Sequence, residues 1–365
     1  MMRRLNFLEF SEAVAFANRN FFAQGENDFL LLQPKVYRYP KKYCQHHYCY
    51  ELDQKMVGLI GTYPIAWDDL KMLGIGTVCV EENYRKQGIM QKMFAYLDQN
   101  VFPDYDLLYL SGDKTRYEHF GFYKTGQKVS FRIKAKALAQ ENIKALRVEP
   151  YLTADESVNR ALYRLYQSGE KVRRNQDNFR DVLQTKGYLI YLIYDGPSLN
   201  GYLVYDNVTD SVKEISKTNL GLNDVLRNFW KVIEKPELCY EVSTDNSDLP
   251  WLYAISDSYR ISHLVNVRII NYAKVIRSLL KQKNNLPKGT ITIRIQEAVN
   301  LKVTVGLDIS VEEIPDQPNF DLVLTEREVH QILFDNPLFW GDKYPLLKAY
   351  CPFSLPVTLS SLDSF

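Results

Sequence analysis

The stretch "TVCVEENYRKQGIMQKMFAYL" (77–97) constrains the fold more than any other part of the chain. It begins as a β-branched, strand-like run and changes at Gly88 to the helical period, with Ile89, Met90, Met93, Phe94 and Leu97 spaced to share one face. Arg85, Lys86 and Gln87 occupy the seam. A strand that passes through a glycine-bearing turn into an amphipathic helix, and then into the strand-like "DLLYLS" (106–111), is a unit of an α/β fold. The same seam puts two cations, a neutral donor and a glycine at a helix N-terminus, where unpaired amides and the helix dipole attract a phosphate. Glycine there lets the backbone come close, because no Cβ intervenes. Neither the glycine pattern of a dinucleotide fold nor the Gly-Lys-Ser or Gly-Lys-Thr of a P-loop accompanies it. Taken alone, the basic tetrapeptide fits a solvated turn equally well.

Around this unit the pattern is consistent. An amphipathic helix is expected near 11–22, followed by strands in "HYCYELD", "KMVGLIGTYPIAW" and "LKMLGIGTVCV", and Gly121 can end a short helical turn before a strand starts at Phe122. From 136 to 150 the composition turns polar and helix-prone, and a second α/β passage begins. Thr153 and Glu156 make a capping box for a helix carrying Val158, Ala161, Leu162 and Leu165. "YLIYLIYDGPSLNGYLVYDNV" predicts two strands joined by a Gly-Pro-Ser-Leu-Asn-Gly turn, "GLNDVLRNFWKVIEK" a helix, and "LCYEVS" and "VNVRIINY" further strands. The second half thus repeats the order of the first without its cationic glycine turn, as a duplicated fold whose second copy lost the anion site. After the polar linker "KQKNNLPKG" (281–289), "TITIRI", "LKVTVGLDISVEEI" and "FDLVLT" read as strands, and Thr325 with Glu328 caps a last helix. The apolar tail "YCPFSLPVTLSSLDSF" predicts docking.

A length of 365 residues predicts two or three domains. The 45 basic and 44 acidic residues almost cancel, which leaves no global field for a nucleic-acid backbone or an anionic membrane. No apolar run reaches membrane-spanning length and the start has no signal-peptide core. Five scattered cysteines do not make a disulfide scaffold. These features predict a soluble cytoplasmic chain with reduced thiols.

Together, 77–97 and "LSGDKTRYEHFGF" (110–122) resemble the GNAT superfamily of acyl-CoA-dependent N-acyltransferases. In that family a bulged strand precedes an Arg/Gln-x-x-Gly-x-Gly/Ala loop that wraps the coenzyme A pyrophosphate, and a later Tyr-x-x-x-Gly-Phe stretch places a tyrosine near the thiol. Arg85, Gly88 and 117–122 match; Met90 stands where many members keep a small residue, which puts the shape of the loop in doubt. The order of parts over the whole chain, with "DLPWLYAISD", "VRIINYAKVIRSL", a small strand–helix unit and an apolar C-terminus, is similar to the enhanced intracellular survival (Eis) family. That resemblance implies mixed α/β architecture: a catalytic GNAT domain (1–145), a degenerate GNAT-like domain (146–285) and a sterol-carrier-like domain (286–365) whose terminus docks at the active site. It also implies acetyl-CoA as co-substrate, an aminoglycoside, polyamine or lysine-type amine as acceptor, and a homo-oligomer, with a hexamer as one option.

Acetyl transfer to an amine needs a neutral amine, a polarised thioester and a stabilised thiolate. Free alkyl amines have a pKa near 10.4, so a base or proton route is required, and a hydroxyl with a pKa near 10 can protonate the departing thiolate. By its match to the family, Tyr117 is that acid. The resemblance further implies that backbone amides of Val78, Cys79 and Val80 meet the pantetheine and thioester, that Arg85, Lys86, Gln87, Gly88 and Ile89 hold the pyrophosphate, and that the Phe365 carboxylate accepts the amine proton. Glu81 and Glu82 are rival bases acting through water. Cys79 lacks an adjacent base and reads as a small hydrophobe rather than a nucleophile. "YCQHHYCY" (43–50) offers Cys44, His46, His47 and Cys49, but on a strand these alternate faces, so no metal is expected. "KVRRN" (171–175) could meet a coenzyme phosphate or an acidic partner, or form a solvated face. Two other function classes stay open: a non-catalytic acyl-CoA-, lipid- or protein-binding module, and aminoacyl transfer from charged tRNA, which the near-zero charge does not favour.

Overall fold

The computed structural model describes the chain apart from residues 23–27, 113, 140–142, 153–154, 168–171, 217, 245, 338–339, 354–361 and 364–365, and the side chains of 114 and 115. Strand β1 (Met2–Arg4) and helices α1 (Phe10–Phe21), α2 (Phe29–Leu32), α3 (Pro34–Tyr37) and α4 (Pro40–His46) precede an antiparallel meander of β2 (His47–Leu52), β3 (Lys55–Trp67) and β4 (Leu70–Val80). Helix α5 (Ile89–Asn100) crosses over to β5 (Leu107–Leu110), parallel to β4; α6 (Lys114–Tyr117) and β6 (Tyr123–Lys134) follow. The order then recurs. After α7 (Ala135–Leu138), β7 (Arg147–Pro150), α8 (Glu156–Gln167), β8 (Val172–Arg173) and α9 (Phe179–Leu183), the antiparallel β9 (Leu189–Asp195), β10 (Ser198–Asp206) and β11 (Ser211–Ile215) lead through α10 (Leu222–Ile233) to β12 (Glu237–Ser243), parallel to β11. Helix α11 (Leu249–Ile255), β13 (Ser258–Ile269) and α12 (Tyr272–Lys281) complete the second half.

The two halves exchange strands within one sheet, ordered β1-β2-β3-β4-β5-β13-β6-β12-β11-β10-β9-β7, with β8 paired to β3. Strand β13 from the second half separates β5 from β6, and β6 from the first half pairs instead with β12. Of the face its period predicts, helix α5 buries Ile89, Met93, Phe94 and Leu97, while Met90 is only partly buried. Every residue of β5 is buried, which is why "LLYL" reads as a continuous apolar run without alternation.

A separate sheet, β16-β15-β14-β17, is built from β14 (Gly289–Ile295), β15 (Val299–Val305), β16 (Ile309–Glu313) and β17 (Leu322–Leu324) and is followed by α13 (Glu326–Phe334). Thr325 and Glu328 make both bonds of the capping box. Glu326 accepts from the Tyr272 hydroxyl at 3.0 Å and the Tyr123 hydroxyl at 3.4 Å, and Arg327 pairs with Glu118, so α13 is tied to the large sheet.

Some expectations need correction. The hairpin between β9 and β10 turns on Gly196 and Pro197 alone, and Ser198 is already in the strand opposite Asp195. Among the described residues, the helix-prone passage at 136–150 is helical only in α7 and forms β7 at its end, because pairing with β9 overrides propensity. Strand β13 starts at Ser258, well before "VNVRII". In "YCQHHYCY", Cys44 and His46 lie on α4, and only from His47 is the backbone extended. The Thr153 half of the predicted capping box lies outside the described residues; Asp155 accepts from the amides of Ser157 and Val158. Among the described residues no helix is long and apolar enough to cross a membrane.

Candidate active site

Strands β4 and β5 pair from Met72 opposite Leu107 to Ile75 opposite Leu110 and no further. Strand β5 ends at Leu110 while β4 continues to Val80, so the strands part, and among the described residues β4 has no strand partner over 76–80 on that side. On its other side, Leu59 of β3 opposes Cys79 and Gly61 opposes Gly76, so Thr77 and Val78 stand together against Ile60. This is a β-bulge, with Thr77 at φ +51°.

Buried hydroxyls hold the bulge. Thr77 Oγ1 lies 2.8 Å from Tyr37 Oη and 3.3 Å from Tyr63 Oη. Tyr63 Oη is 2.7 Å from His47 Nε2, and His47 Nδ1 is 2.8 Å from the Tyr43 carbonyl. Burial pushes the His47 imidazole down to about 3, so it is neutral, donates from Nδ1 to the carbonyl and accepts the Tyr63 proton at Nε2. A Cβ at Gly61 would stand 2.2 Å from Tyr63 Oη, so a side chain there would displace the Tyr63–His47 pair. Tyr37, Tyr63 and Thr77 have no distinctive sequence signal: Tyr37 sits in a short helix, and Tyr63 and Thr77 look like ordinary strand formers.

Beyond β4 the chain makes the cationic turn. Arg85 Nε donates to the Val80 carbonyl at 3.0 Å, Gln87 Nε2 to the Asn83 carbonyl at 3.2 Å, and Arg85, Lys86 and Gln87 are exposed. Lys86 has φ +62°, and Gly88, the N-cap of α5, has φ +73°. That left-handed backbone favours glycine at 88. The Ile89 side chain is buried in the core. Met90 packs partly buried against the same core. Glu81 is paired with Arg19 at 3.2 Å, and Glu82 is exposed.

Tyr117 ends α6, just past the parting of β4 and β5. Its ring packs 6.2 Å from Phe94 and 6.5 Å from Phe122. Burial raises its pKa, an effect that Arg116 partly offsets and Cys79 reinforces. Burial also pushes the Cys79 thiol far above its ordinary value, which removes the thiolate a covalent mechanism would need. Among the described residues no cluster of His, Cys, Asp and Glu is arranged to hold a metal.

Phe365 lies outside the described residues. Two residues earlier the chain is firmly held: Leu362 is fully buried, Lys35 Nζ donates to its carbonyl, and the Tyr109 hydroxyl of β5 donates to the Asp363 carbonyl at 3.0 Å. Arg174 binds the Asp363 carboxylate through Nε at 3.0 Å and Nη2 at 2.9 Å, and Glu214 at 3.0 and 2.7 Å. Arg174, of the "KVRRN" run, is therefore an internal anchor rather than a solvated or phosphate-binding cation; Arg173 beside it is exposed. A cavity of about 160 Å³ opens here, with Lys35, Tyr43, Tyr63, Arg173 and Asp363 among its walls. In the second half the corresponding turn has Gly221 at φ −65° and Asp224 in the first turn of α10, a carboxylate that disfavours an anion at that helix terminus.

Residues 15–126 match the acetyltransferase (GNAT) family. That stretch is a GNAT acetyltransferase domain. Residues 15–126 thus carry the acyltransferase domain of the chain. No curated protein matches the sequence. Solved structures similar over nearly the whole chain include a GCN5-related N-acetyltransferase from Anabaena variabilis (16% identity, 98% of each chain, TM-score 0.70). Another is a GCN5-related N-acetyltransferase from Kribbella flavida (14% identity, 98% of this chain and 99% of that one, TM-score 0.69). Eis1 from Mycobacterium abscessus shares the fold at 11% identity over 98% of this chain and 97% of its own (TM-score 0.66). The Eis-like architecture therefore extends beyond the GNAT domain at the level of fold.

Proposed function

We propose that the chain transfers an acetyl group directly from acetyl-CoA to a primary amine of the aminoglycoside, polyamine or lysine type. The observation that carries this reading is the parted β4–β5 pair, with the N-terminus of α5 beyond one strand and Tyr117 beyond the other. In this reading the edge of β4 at Val78, Cys79 and Val80 meets the pantetheine and polarises the thioester carbonyl. Arg85, Lys86, Gln87, Gly88 and Ile89 hold the pyrophosphate through the amides of the turn and its two cations. The amine nitrogen attacks the carbonyl carbon, the C–S bond breaks, and the sulfur takes the Tyr117 proton. The proton lost by the amine goes to the Phe365 carboxylate. Anchoring of Leu362 and Asp363 against Lys35, β5 and Arg174 supports that role, and the pairing of Glu81 with Arg19 weighs against Glu81.

The separate four-stranded sheet supports treating 286–365 as its own sterol-carrier-like unit after the GNAT-like units 1–145 and 146–285. The reading also includes assembly as a homo-oligomer. The test is thiol release from acetyl-CoA by the purified chain across a panel of aminoglycosides, polyamines and lysine peptides. Release in step with amine acetylation is expected, and Arg85→Ala should raise KM for acetyl-CoA. Silence across the panel with coenzyme binding intact would favour a non-catalytic binding module.

A further inference from the structure

The cavity of about 160 Å³ beside the anchored C-terminal segment connects the β4 bulge to a group of cations. Tyr63 lines it and meets Thr77 of the bulge at 3.3 Å; Asp363, two residues before the terminus, lines it as well. Lys35 of α3, Lys42 of α4 and Arg173 of β8 supply positive charge to the wall. Arg173 arrives there because β8 pairs with the end of β3, where it stands opposite Ala66. Among the described lining residues Asp363 is the one acid, and Arg174 already holds both of its carboxylate oxygens.

The remaining charge is positive. Lys35 is buried with its ammonium on the Leu362 carbonyl, and burial pulls its pKa down to about 7 against the opposing influence of Asp363. Lys42 and Arg173 are exposed, and among the described residues neither forms an ion pair. His46, also in the wall, is kept neutral by burial and by the Lys42 charge. Asn178 adds an acceptor: its Nδ2 donates to the Lys35 carbonyl at 3.2 Å, while its buried Oδ1 has no partner among the described residues. A polycation brought to this wall meets like charges where water screens them poorly, whereas a carboxylate gains charge-assisted hydrogen bonds. Size points the same way. A cavity of about 150 Å³ holds one molecule of the bulk of benzene, which is amino-acid scale and far below a multi-ring aminoglycoside.

We infer that this cavity selects the acceptor, and that the acceptor is an amine of amino-acid size that carries a carboxylate, held between Lys35, Lys42 and Arg173. The inference rests on the acetyl-transfer reading and narrows it to lysine-type acceptors with a free acid group.

The test compares Nα-acetyl-lysine, its uncharged C-terminal amide and the diamine cadaverine on the full-length chain. Binding is measured by calorimetry with coenzyme A saturating, and turnover by thiol release from acetyl-CoA. The acid should bind at least ten-fold tighter than the amide or cadaverine, as a charge-assisted contact gives, and lead by a similar factor in kcat/KM. Arg173→Gln and Lys42→Gln should each shrink that preference several-fold, and Arg173→Glu should turn it toward cadaverine. Acid-selective binding without thiol release would uphold the inference and sink the transfer reading. Thiol release with equal use of acid and amide, or with cadaverine preferred, would do the reverse. Absence of binding by all three compounds, or an unchanged preference in the folded Arg173 and Lys42 variants, would also overturn the inference.

Discussion

In the proposed reaction, Tyr117 is the residue on which the chemistry turns. Burial raises its pKa, so at neutral pH it carries the proton that a departing thiolate needs. Tyr117→Phe keeps the ring packing and removes only the hydroxyl, so kcat for amine acetylation should fall about 100-fold with KM for acetyl-CoA little changed. Steady-state thiol release checks the split. Asp335, just past α13, gives a pH prediction. It is 3% exposed, its Oδ1 has no hydrogen-bond partner among the described residues, and burial pushes its carboxyl up to about 7, partly opposed by the Gly126 amide. Between about pH 4 and 7 the folded chain therefore holds a proton that the unfolded chain has lost, and stability falls as pH rises through that window. Asp335→Asn should flatten the decline by roughly 2 kcal/mol, read from denaturant midpoints at both ends of the window.

At the scale of elements, the site depends on where strands stop. Pairing between β4 and β5 ends at Ile75 and Leu110, and the chain passes Gly112 before α6 delivers Tyr117. A Cβ at Gly112 would stand 2.6 Å from Tyr117 Cε2, closer than real contacts allow. Gly112→Ala should displace the ring and lower kcat nearly as far as Tyr117→Phe, although the hydroxyl is still present; the comparison of the two variants in the same assay checks it. The turn into α5 was legible in the sequence because glycine, cations and a change of period fall together. The bulge at Thr77 was not. A bulge is a mismatch between two strands, and the residues that hold it, Tyr37, His47 and Tyr63, come from three different elements.

For the whole molecule, the anchor of the C-terminal segment joins the halves: Lys35 and Tyr109 come from the first, Arg174 and Glu214 from the second. Arg174 is one buried cation between two carboxylates, so Arg174→Ala should cost about 3–5 kcal/mol by leaving Asp363 and Glu214 unpaired. Deleting 362–365 removes the anchored segment itself, and should abolish turnover while acetyl-CoA binding, measured by calorimetry, survives. By itself the sequence determined the elements whose signal is local: the β3–β4 meander, the glycine turn, the amphipathic face of α5 and the capped start of α13. Only the tertiary structure decided that β13 would stand between β5 and β6, that β4 and β5 would part, and that the "KVRRN" arginine would face inward. The physical reason is that period and capping are set by neighbours a few residues apart. Strand exchange and the Arg174–Asp363 ion pair depend instead on partners separated by more than a hundred residues.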